Sequence, residues 1–317
     1  MKKLYPTNNA QRLALFLLTM LFVMTINAVP AKPGQTRQLT LADGSTVQAV
    51  LVGDEHGHFW QAADGRAYQA MGGSDRYRAV DRKAVLERAS ERRAAVNSQR
   101  VKRLPARRNT GSITGQKKGL IILVNFCDVA FQDGNDNALF QNIANTANFS
   151  EGSFKGSMHD YFYAQSRGAF DLTFDVVGPV TVSQTQAYYG TNDSNGNDAH
   201  PAEMVIEALT LVDKDVNFAD YDWDGDGTVE QVYVVYAGKG EADGGEAVTI
   251  WPHEWQLSSA KSYDDGTGAQ TLDGVTINTY ACGGELNGKG NTAGIGTMCH
   301  EFSHCLGYPD FYDTDYS

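Results

Sequence analysis

The chain has 317 residues, of which 42% are hydrophobic and 20% charged, and its formal net charge is −12. This composition is ordinary for a folded globular protein and excludes a disordered or collagen-like chain. Because so acidic a protein would repel phosphate groups, we expect no nucleic-acid partner.

The first segment has the pattern of a secretory signal peptide. A basic leader precedes an uncharged apolar run from Leu13 to Ile26, and small residues follow at Ala28 and Ala31. The run is shorter than the ~20 residues that span a bilayer comfortably, although an uncleaved membrane anchor is the alternative. We predict a signal peptide over residues 1–31, a secreted protein in the extracellular space, and no membrane partner after cleavage.

Charge divides the remaining chain into two parts. The front segment, Lys32–Arg108, holds 15 Lys and Arg against 8 Asp and Glu, a net charge of +7. The acidic part, Asn109–Ser317, holds 8 against 30, a net charge of −22. Because opposite charges attract over a Debye length of ~10 Å, we expect the front segment to dock on the acidic part and cover its cleft.

A basic, polar stretch from Arg100 to Ser112 separates the two parts, with Pro105 and Gly111 as breakers. We predict an exposed linker there, since proteases cut exposed polar segments. Cleavage after Arg103 or Arg108 would activate a zymogen, and a solvated tether between domains is the alternative.

The front segment is predicted to form a small, mostly β domain. Short β-like runs alternate with the hairpin dipeptides Asp43-Gly44 and Asp64-Gly65. A charged helix is expected near Val80–Asn97. His56 and His58 could be metal ligands in principle, but without a third ligand in view we interpret them as turn residues.

Strands and helices alternate along the acidic part, which indicates an α/β layer. A buried strand, a helix, a strand, an amphipathic helix and two further strands are expected at residues 117–126, 152–170, 171–182, 199–213, 229–238 and 274–281. The aromatic face of the first helix, at Phe154, Tyr161 and Phe162, is interpreted as core packing instead of a substrate platform.

An acidic loop between these elements is a candidate calcium site. Its carboxylates alternate at Asp220, Asp222, Asp224 and Asp226. Alternation around a tight turn can direct several oxygens at one hard cation such as Ca²⁺. An EF-hand register would end at Tyr233 instead of a glutamate, so a true EF-hand is not expected and Glu230 could substitute. A solvated acidic turn is the alternative.

The last helix carries the predicted chemistry. His300 and His304 lie four residues apart, so they share one helix face on which two imidazoles can hold a metal ion. Glu301 is offset to the adjacent side, where it can reach a metal-bound water without ligating. Gly307 can end the helix in a left-handed conformation, and Asp310 can then return as a third ligand.

Three protein ligands and an open fourth position are typical of catalytic zinc sites. Zinc lowers the pKa of its bound water to about 7. Glu301 then acts as the base, and the hydroxide attacks a peptide carbonyl. We therefore predict a zinc-dependent endopeptidase. A catalytically inactive, secreted, calcium-binding adhesion module is the alternative function.

Four cysteines permit two disulfides in an oxidising compartment. Cys299 and Cys305 lie on different sides of the last helix and away from the histidine face, so neither a mutual bridge nor zinc ligation by them is expected. Cys127 and Cys282 are the remaining partners, and Cys282 with Cys299 is the favoured pair.

With these segments placed, the chain resembles the immune-inhibitor-A-like secreted metallopeptidases. The resemblance covers about Lys117–Ser317 and rests on the stretches HEFSHCLGYPDFYDT, SMHDYFYAQSRG, DYDWDGDG with the following VYVVYAG, and INTYACGGEL. It implies zinc-dependent endopeptidase activity, a metzincin-like fold, an N-terminal propeptide and bound calcium. On the matching positions, it implies His300, His304 and Asp310 as zinc ligands. Glu301 would be the catalytic base.

Such peptidases continue past the third ligand into a lower subdomain, usually with a methionine under the metal. This chain ends seven residues after Asp310, and no methionine follows Met298. The expected fold class is thus α/β, the incomplete upper subdomain of a metzincin-like zincin with a mixed sheet and an active-site helix. A basic propeptide at residues 32–108 would precede the catalytic domain at 109–317. The expected partners are protein or peptide substrates and the chain's own propeptide.

Overall fold

The computed structural model describes residues 30–32, 34–72, 74–110, 113–260 and 268–311. The apolar run of the predicted signal peptide lies outside the described residues. Within the described ranges, no helix combines the length and apolar character that a membrane crossing requires.

The front segment folds into a closed five-stranded barrel. Its strands are β1 (Thr36–Leu41), β2 (Thr46–Asp54), β3 (Gly57–Ala62), β4 (Ala67–Ala70) and β5 (Arg76–Val80). Successive strands pair antiparallel, and β1 closes the barrel by pairing in parallel with β5. Both predicted hairpin turns are confirmed, because Gly44 and Gly65 have φ values of 86° and 85°, a conformation that glycine adopts without steric cost.

A helix of 29 residues, α1 (Arg82–Thr110), follows the barrel. It runs well past the predicted end at Asn97, so the prediction of an exposed linker beginning at Arg100 is wrong at this residue. The Arg100 side chain is fully buried. Its charge is compensated there by the buried Glu254 of the acidic part, whose Oε2 lies 2.8 Å from Nε of Arg100. Residues 111–112 of the predicted linker lie outside the described residues.

The acidic part is built on a mixed five-stranded sheet. Its strands are β6 (Gly115–Asn125), β7 (Phe170–Thr181), β9 (Val232–Lys239), β10 (His253–Gln256) and β13 (Thr279–Leu286). They lie in the order β10-β13-β9-β6-β7. Four of these strands run parallel, and β10 pairs antiparallel with β13 at one edge. A separate three-stranded sheet consists of β8 (Thr228–Val229), β11 (Gln270–Leu272) and β12 (Val275–Ile277).

Helices cover this sheet, which confirms the predicted α/β alternation. They are α2 (Asn137–Asn145), α3 (Met158–Gln165), α4 (Gln186–Tyr189), α5 (Pro201–Val212), α6 (Leu257–Ala260) and α7 (Ile295–Cys305), with 3₁₀ turns at Asp213–Asp215, Phe218–Tyr221 and Glu241–Asp243. Helix α3 is shorter than predicted, because Ser157 and Asp160 form a capping box that sets its start. Phe154 precedes this helix but is still buried.

Both faces of the central sheet are buried, which is the usual environment of parallel strands. Along β9, Val234 faces the core that α5 covers, whereas Tyr233 and Val235 face the core that contains α7. In that second core, the Phe302 ring of α7 lies 5.2 Å from Phe162 and 5.3 Å from Phe174, measured between ring centroids. The helix that carries the histidine motif is thus held rigidly against the sheet.

Replacing Phe302 with alanine tests this anchoring. The side chain is fully buried, and emptying such a site costs ~3–5 kcal/mol because a cavity remains. We expect urea unfolding to show a loss of stability in that range. Phe311 is 82% exposed, so Phe311→Ala should change the free energy of unfolding by no more than ~0.5 kcal/mol. Equal losses in both variants would contradict the packing described here.

Candidate metal centre

The two histidines of α7 meet on one helix face, as their spacing predicts. Their Nε2 atoms are 2.9 Å apart. His304 is almost fully buried, and the side chain of His300 is 13% exposed. Two imidazole nitrogens this close, both facing the same point, form half of a coordination sphere.

A tight cap after α7 brings in the third side chain. The N–H of Gly307 donates to the carbonyl of His304 at 2.9 Å, and the N–H of Tyr308 donates to that of Ser303 at 3.2 Å. With φ at 100° for Gly307, these are the two bonds of a Schellman motif. Asp310 then lies beside the histidines, with Oδ1 3.2 Å from Nε2 of His304. The predicted turn is confirmed.

The electrostatics of the three side chains suit a cation. The carbonyl of Tyr308 lies 2.7 Å from Nδ1 of His304, so Nδ1 donates and Nε2 keeps its lone pair towards Asp310. Burial and the neighbouring His304 lower the pKa of His300 to about 3, which keeps this imidazole neutral. Burial raises the pKa of Asp310, but the neighbouring imidazoles of His304 and His56 and the charge of Arg100 outweigh it and lower the pKa. The set consists of two imidazoles and one carboxylate.

Glu301 lies next to this set and is fully buried. Its Oε1 is 4.0 Å from Nε2 of His300. Burial raises its pKa well above the usual range, Arg100 opposes that shift, and Asp310 adds to it. Within the described residues, neither carboxylate oxygen of Glu301 or of Asp310 has a hydrogen-bond partner. Because such buried acceptors are costly when unsatisfied, these residues fit a bound metal ion and its water.

Two further side chains at the centre come from the front segment. Nε2 of His56 lies 3.6 Å from Oδ2 of Asp310, and Nη1 of Arg100 lies 3.5 Å from the same oxygen. The sequence interpretation set His56 aside as a turn residue and placed Arg100 in a linker. No local pattern could correct this, because both contacts cross from the front segment to a residue distant along the chain.

The front segment and the acidic part share a polar and an apolar interface. Arg37 pairs with Glu246 at 2.9 Å, and Lys32 lies 3.6 Å from Asp243. Trp60 of the barrel packs in one core with Trp251 of the acidic part. These contacts hold the barrel against the acidic part, which contains the candidate centre.

A cleft of about 650 Å³ lies beside the histidines. Its walls are mostly apolar and include Tyr161, Ile295, Leu306 and Phe311. Phe162 is buried, in line with the interpretation as core packing, whereas Tyr161 is half-buried, and both side chains line the cleft. A cleft of this size accommodates part of a peptide chain.

The acidic loop brings together only some of its predicted residues. Ligand atoms of Asp222, Asp224 and Glu230 lie within 4.8 Å of one another. Asp220 instead accepts a hydrogen bond from Asn217 at 2.9 Å, and Asp226 accepts one from the N–H of Thr228 at 2.8 Å. Glu230 therefore takes part in the group, as the sequence allowed.

The favoured disulfide between Cys282 and Cys299 is not formed, since all four cysteines are free thiols. Cys282 lies in the core on the α5 side of the sheet, 3.6 Å from Nδ1 of His253, whereas Cys299 lies in the core on the opposite side. The sheet between them prevents a bridge, and sequence spacing carries no information about this separation.

A helix with His-Glu-x-x-His and a carboxylate returning from the next turn defines a metal-dependent peptidase. Residues 108–317 match the family model described as "Immune inhibitor A peptidase M6, catalytic domain". The chain belongs to this family, whose members are metallopeptidases and thus hydrolases of peptide bonds.

Two named proteins are similar to part of the chain. It is 29% identical over 189 residues to the "Pre-pro-metalloprotease PrtV" of Vibrio cholerae serotype O1, an alignment that covers 51% of this chain and 19% of the relative. It is 28% identical over 193 residues to the "Immune inhibitor A" of Bacillus thuringiensis subsp. alesti, covering 53% and 27%. The chain thus spans about a fifth to a quarter of these relatives.

Gly307→Ala tests the turn that positions Asp310. The left-handed conformation costs a residue with a Cβ ~1–2 kcal/mol, so we expect a loss of stability of that size in denaturant unfolding. Gly296 in α7 is the matched control, because a Cβ there meets no atom within 4 Å. Gly296→Ala should stabilise by up to ~1 kcal/mol, and a loss there as large as at Gly307 would contradict this explanation.

Proposed function

We propose that the chain is a secreted zinc endopeptidase that is made as a zymogen, with a metzincin-like catalytic fold. The observation that carries the proposal is the convergence of His300, His304 and Asp310, whose ligand atoms all lie within 4.8 Å of one another. The buried Glu301 beside them completes the set of groups that hydrolysis of a peptide bond requires.

His300, His304 and Asp310 would hold the zinc ion, since two neutral imidazoles and a carboxylate are common ligands of catalytic zinc. Zinc supplies Lewis acidity, which makes a coordinated water acidic near neutral pH and polarises a carbonyl. The hydrogen bond from Nδ1 of His304 to the carbonyl of Tyr308 holds that ring in its orientation.

Glu301 is the base and then the acid in this proposal. Its buried carboxylate, with a raised pKa, accepts a proton from the attacking water more readily than an exposed glutamate would. As the water oxygen bonds to the peptide carbon and the C–N bond breaks, Glu301 returns the proton to the departing amine nitrogen. The apolar cleft beside His300 would bind substrate side chains next to the scissile bond.

Secretion and latency rest on other observations. The apolar run and small residues near the N-terminus favour export, and one relative is named "Pre-pro-metalloprotease PrtV". The barrel of the front segment places Arg100 and His56 against Asp310. A segment that contacts a metal ligand in this way would restrict substrate access until it is removed.

The acidic loop is proposed to bind calcium through Asp222, Asp224 and Glu230. Oxygen ligands from three carboxylates at short range suit this hard cation. Oδ1 of Asp224 is buried and accepts no hydrogen bond from the described residues, so it is available as a ligand. Glu230 also accepts the N–H of Trp223 at 2.7 Å, which holds its carboxylate against the loop.

Glu301→Gln tests the peptidase proposal. Loss of the base should lower casein hydrolysis at least ~10²–10⁴-fold, while zinc content measured by atomic emission stays the same. His300→Ala should lose the zinc as well. The assay follows limited proteolysis, so that latency does not mask activity.

Glu151 is exposed, and Glu151→Gln is the control that should keep both activity and zinc. Hydrolysis by Glu301→Gln at the control rate would overturn the assignment of Glu301. Zinc retained by His300→Ala would overturn the ligand set.

The calcium proposal predicts stabilisation by the ion. At a calcium concentration ~100 times the Kd, binding to the folded state adds ~2.7 kcal/mol, so the melting temperature should rise above that measured in a calcium chelator. Asp222→Asn should remove most of the rise, because Asp222 belongs to the ligand group. Asp220→Asn should retain it, because Asp220 lies outside that group. No rise, or equal rises in both variants, would refute the proposed site.

A further inference from the structure

We propose that the front barrel adds metal ligands to the candidate centre: Glu55 and His56 bind a metal ion together with Asp310 for as long as the front segment is attached. Both residues form the two-residue loop between β2 and β3, where Asp54 pairs with Gly57. The inference rests on the proposed zinc centre and concerns its regulation.

The geometry is that of a second ligand group next to the first. Ligand atoms of Glu55, His56 and Asp310 lie within 4.8 Å of one another. Nε2 of His56 is 3.3 Å from Oε1 of Glu55 and 3.6 Å from Oδ2 of Asp310. Oδ1 of Asp310 faces His304, so the two carboxylate oxygens face different groups. Asp310 is therefore shared between the helix histidines and the barrel loop.

The unsatisfied polar atoms of the loop also favour a bound cation. Both ring nitrogens of His56 and both carboxylate oxygens of Glu55 are buried, and none of them has a hydrogen-bond partner among the described residues. Burying a histidine and a glutamate in this state is costly. One metal ion could be coordinated by Nε2 of His56 and the carboxylate of Glu55, which both lie beside Asp310.

The charges around Glu55 support the same conclusion. The carboxylates of Asp54, Asp310 and Glu301 all lie close enough to Glu55 to act on its charge. The two buried arginines nearby already hold other carboxylates, since Arg93 pairs with Asp54, and Arg100 binds Glu254 at 2.8 Å and lies 3.5 Å from Asp310. A metal ion supplies the positive charge that these arginines leave uncompensated.

The geometry of the hairpin turn does not explain why its two loop residues are Glu55 and His56. Two-residue hairpin loops favour Asn-Gly, Asp-Gly and other glycine-containing pairs, because these adopt positive φ values. This loop is instead held by Asp54, whose Oδ1 accepts the N–H of His56 at 3.0 Å. The barrel is anchored beyond it, where His58 stacks on Trp251 with ring centroids 4.3 Å apart. The side chains of the loop are thus held at the centre by rigid elements.

Ligands on the Oδ2 side of Asp310 would explain latency in chemical terms. As ligands, Glu55 and His56 would take coordination positions that water and a substrate carbonyl need, and they belong to the segment that activation would remove. Release of the front segment would take away these two ligands and leave His300, His304 and Asp310.

Metal binding by the uncleaved chain tests this inference independently of peptidase activity. We compare the unaltered chain with His56→Gln by chelator competition, by the visible spectrum of bound Co²⁺ and by native mass spectrometry. We expect His56→Gln to weaken metal binding at least ~10-fold and to alter the Co²⁺ spectrum, since even the loss of a residue that only supports a ligand costs ~10–100-fold. Glu55→Gln should act in the same direction.

His159→Gln is the control, because His159 lies outside the centre and pairs with Asp171 at 2.9 Å. It should leave affinity and spectrum unchanged. A metal content that falls from two ions per chain to one in His56→Gln supports the proposal. A single ion that binds more weakly, with an altered Co²⁺ spectrum, also supports it.

Unchanged affinity and spectrum in His56→Gln overturns the proposal. Equal losses in His56→Gln and His159→Gln also overturn it, since such losses would not arise at the barrel loop. The proposed function fails separately, through Glu301→Gln or His300→Ala.

Discussion

The Asp310 carboxylate is the interaction on which the candidate centre depends. One oxygen faces the helix histidines, and the other faces His56 and Arg100 of the front segment. A buried carboxylate is stable only when positive charge or hydrogen bonds compensate it. The same side chain therefore joins α7 to the barrel, and the front segment meets the acidic part at the candidate centre.

The remaining structure holds this carboxylate in place. The central sheet is buried on both faces, and Phe302 anchors α7 against it between Phe162 and Phe174. The Schellman motif at Gly307 then returns the chain over the histidines. From the other side, the Arg100–Glu254 pair and the shared core around Trp60 seat the barrel. Rigid elements thus approach the centre from two parts of the chain, as a preorganised site requires.

Local patterns were good guides wherever the interactions are local. The spacing of His300 and His304, the helix stop at Gly307 and the hairpin glycines Gly44 and Gly65 follow from backbone geometry within a few residues. Patterns failed where partners are distant along the chain. Arg100 reads as part of a basic linker, yet it is buried by carboxylates of the acidic part. The predicted disulfide between Cys282 and Cys299 is wrong because the central sheet lies between the two residues.

The sequence by itself therefore determined the class of chemistry, because the helix period and the glycine stop place His300, His304 and Asp310 together without reference to the rest of the molecule. Only the tertiary structure decided what surrounds them. It selected Asp222, Asp224 and Glu230 from the acidic loop and brought the Glu55–His56 hairpin to Asp310. Such contacts depend on how the front segment packs against the acidic part, and that packing follows from summed burial and charge pairing instead of from any short stretch of residues.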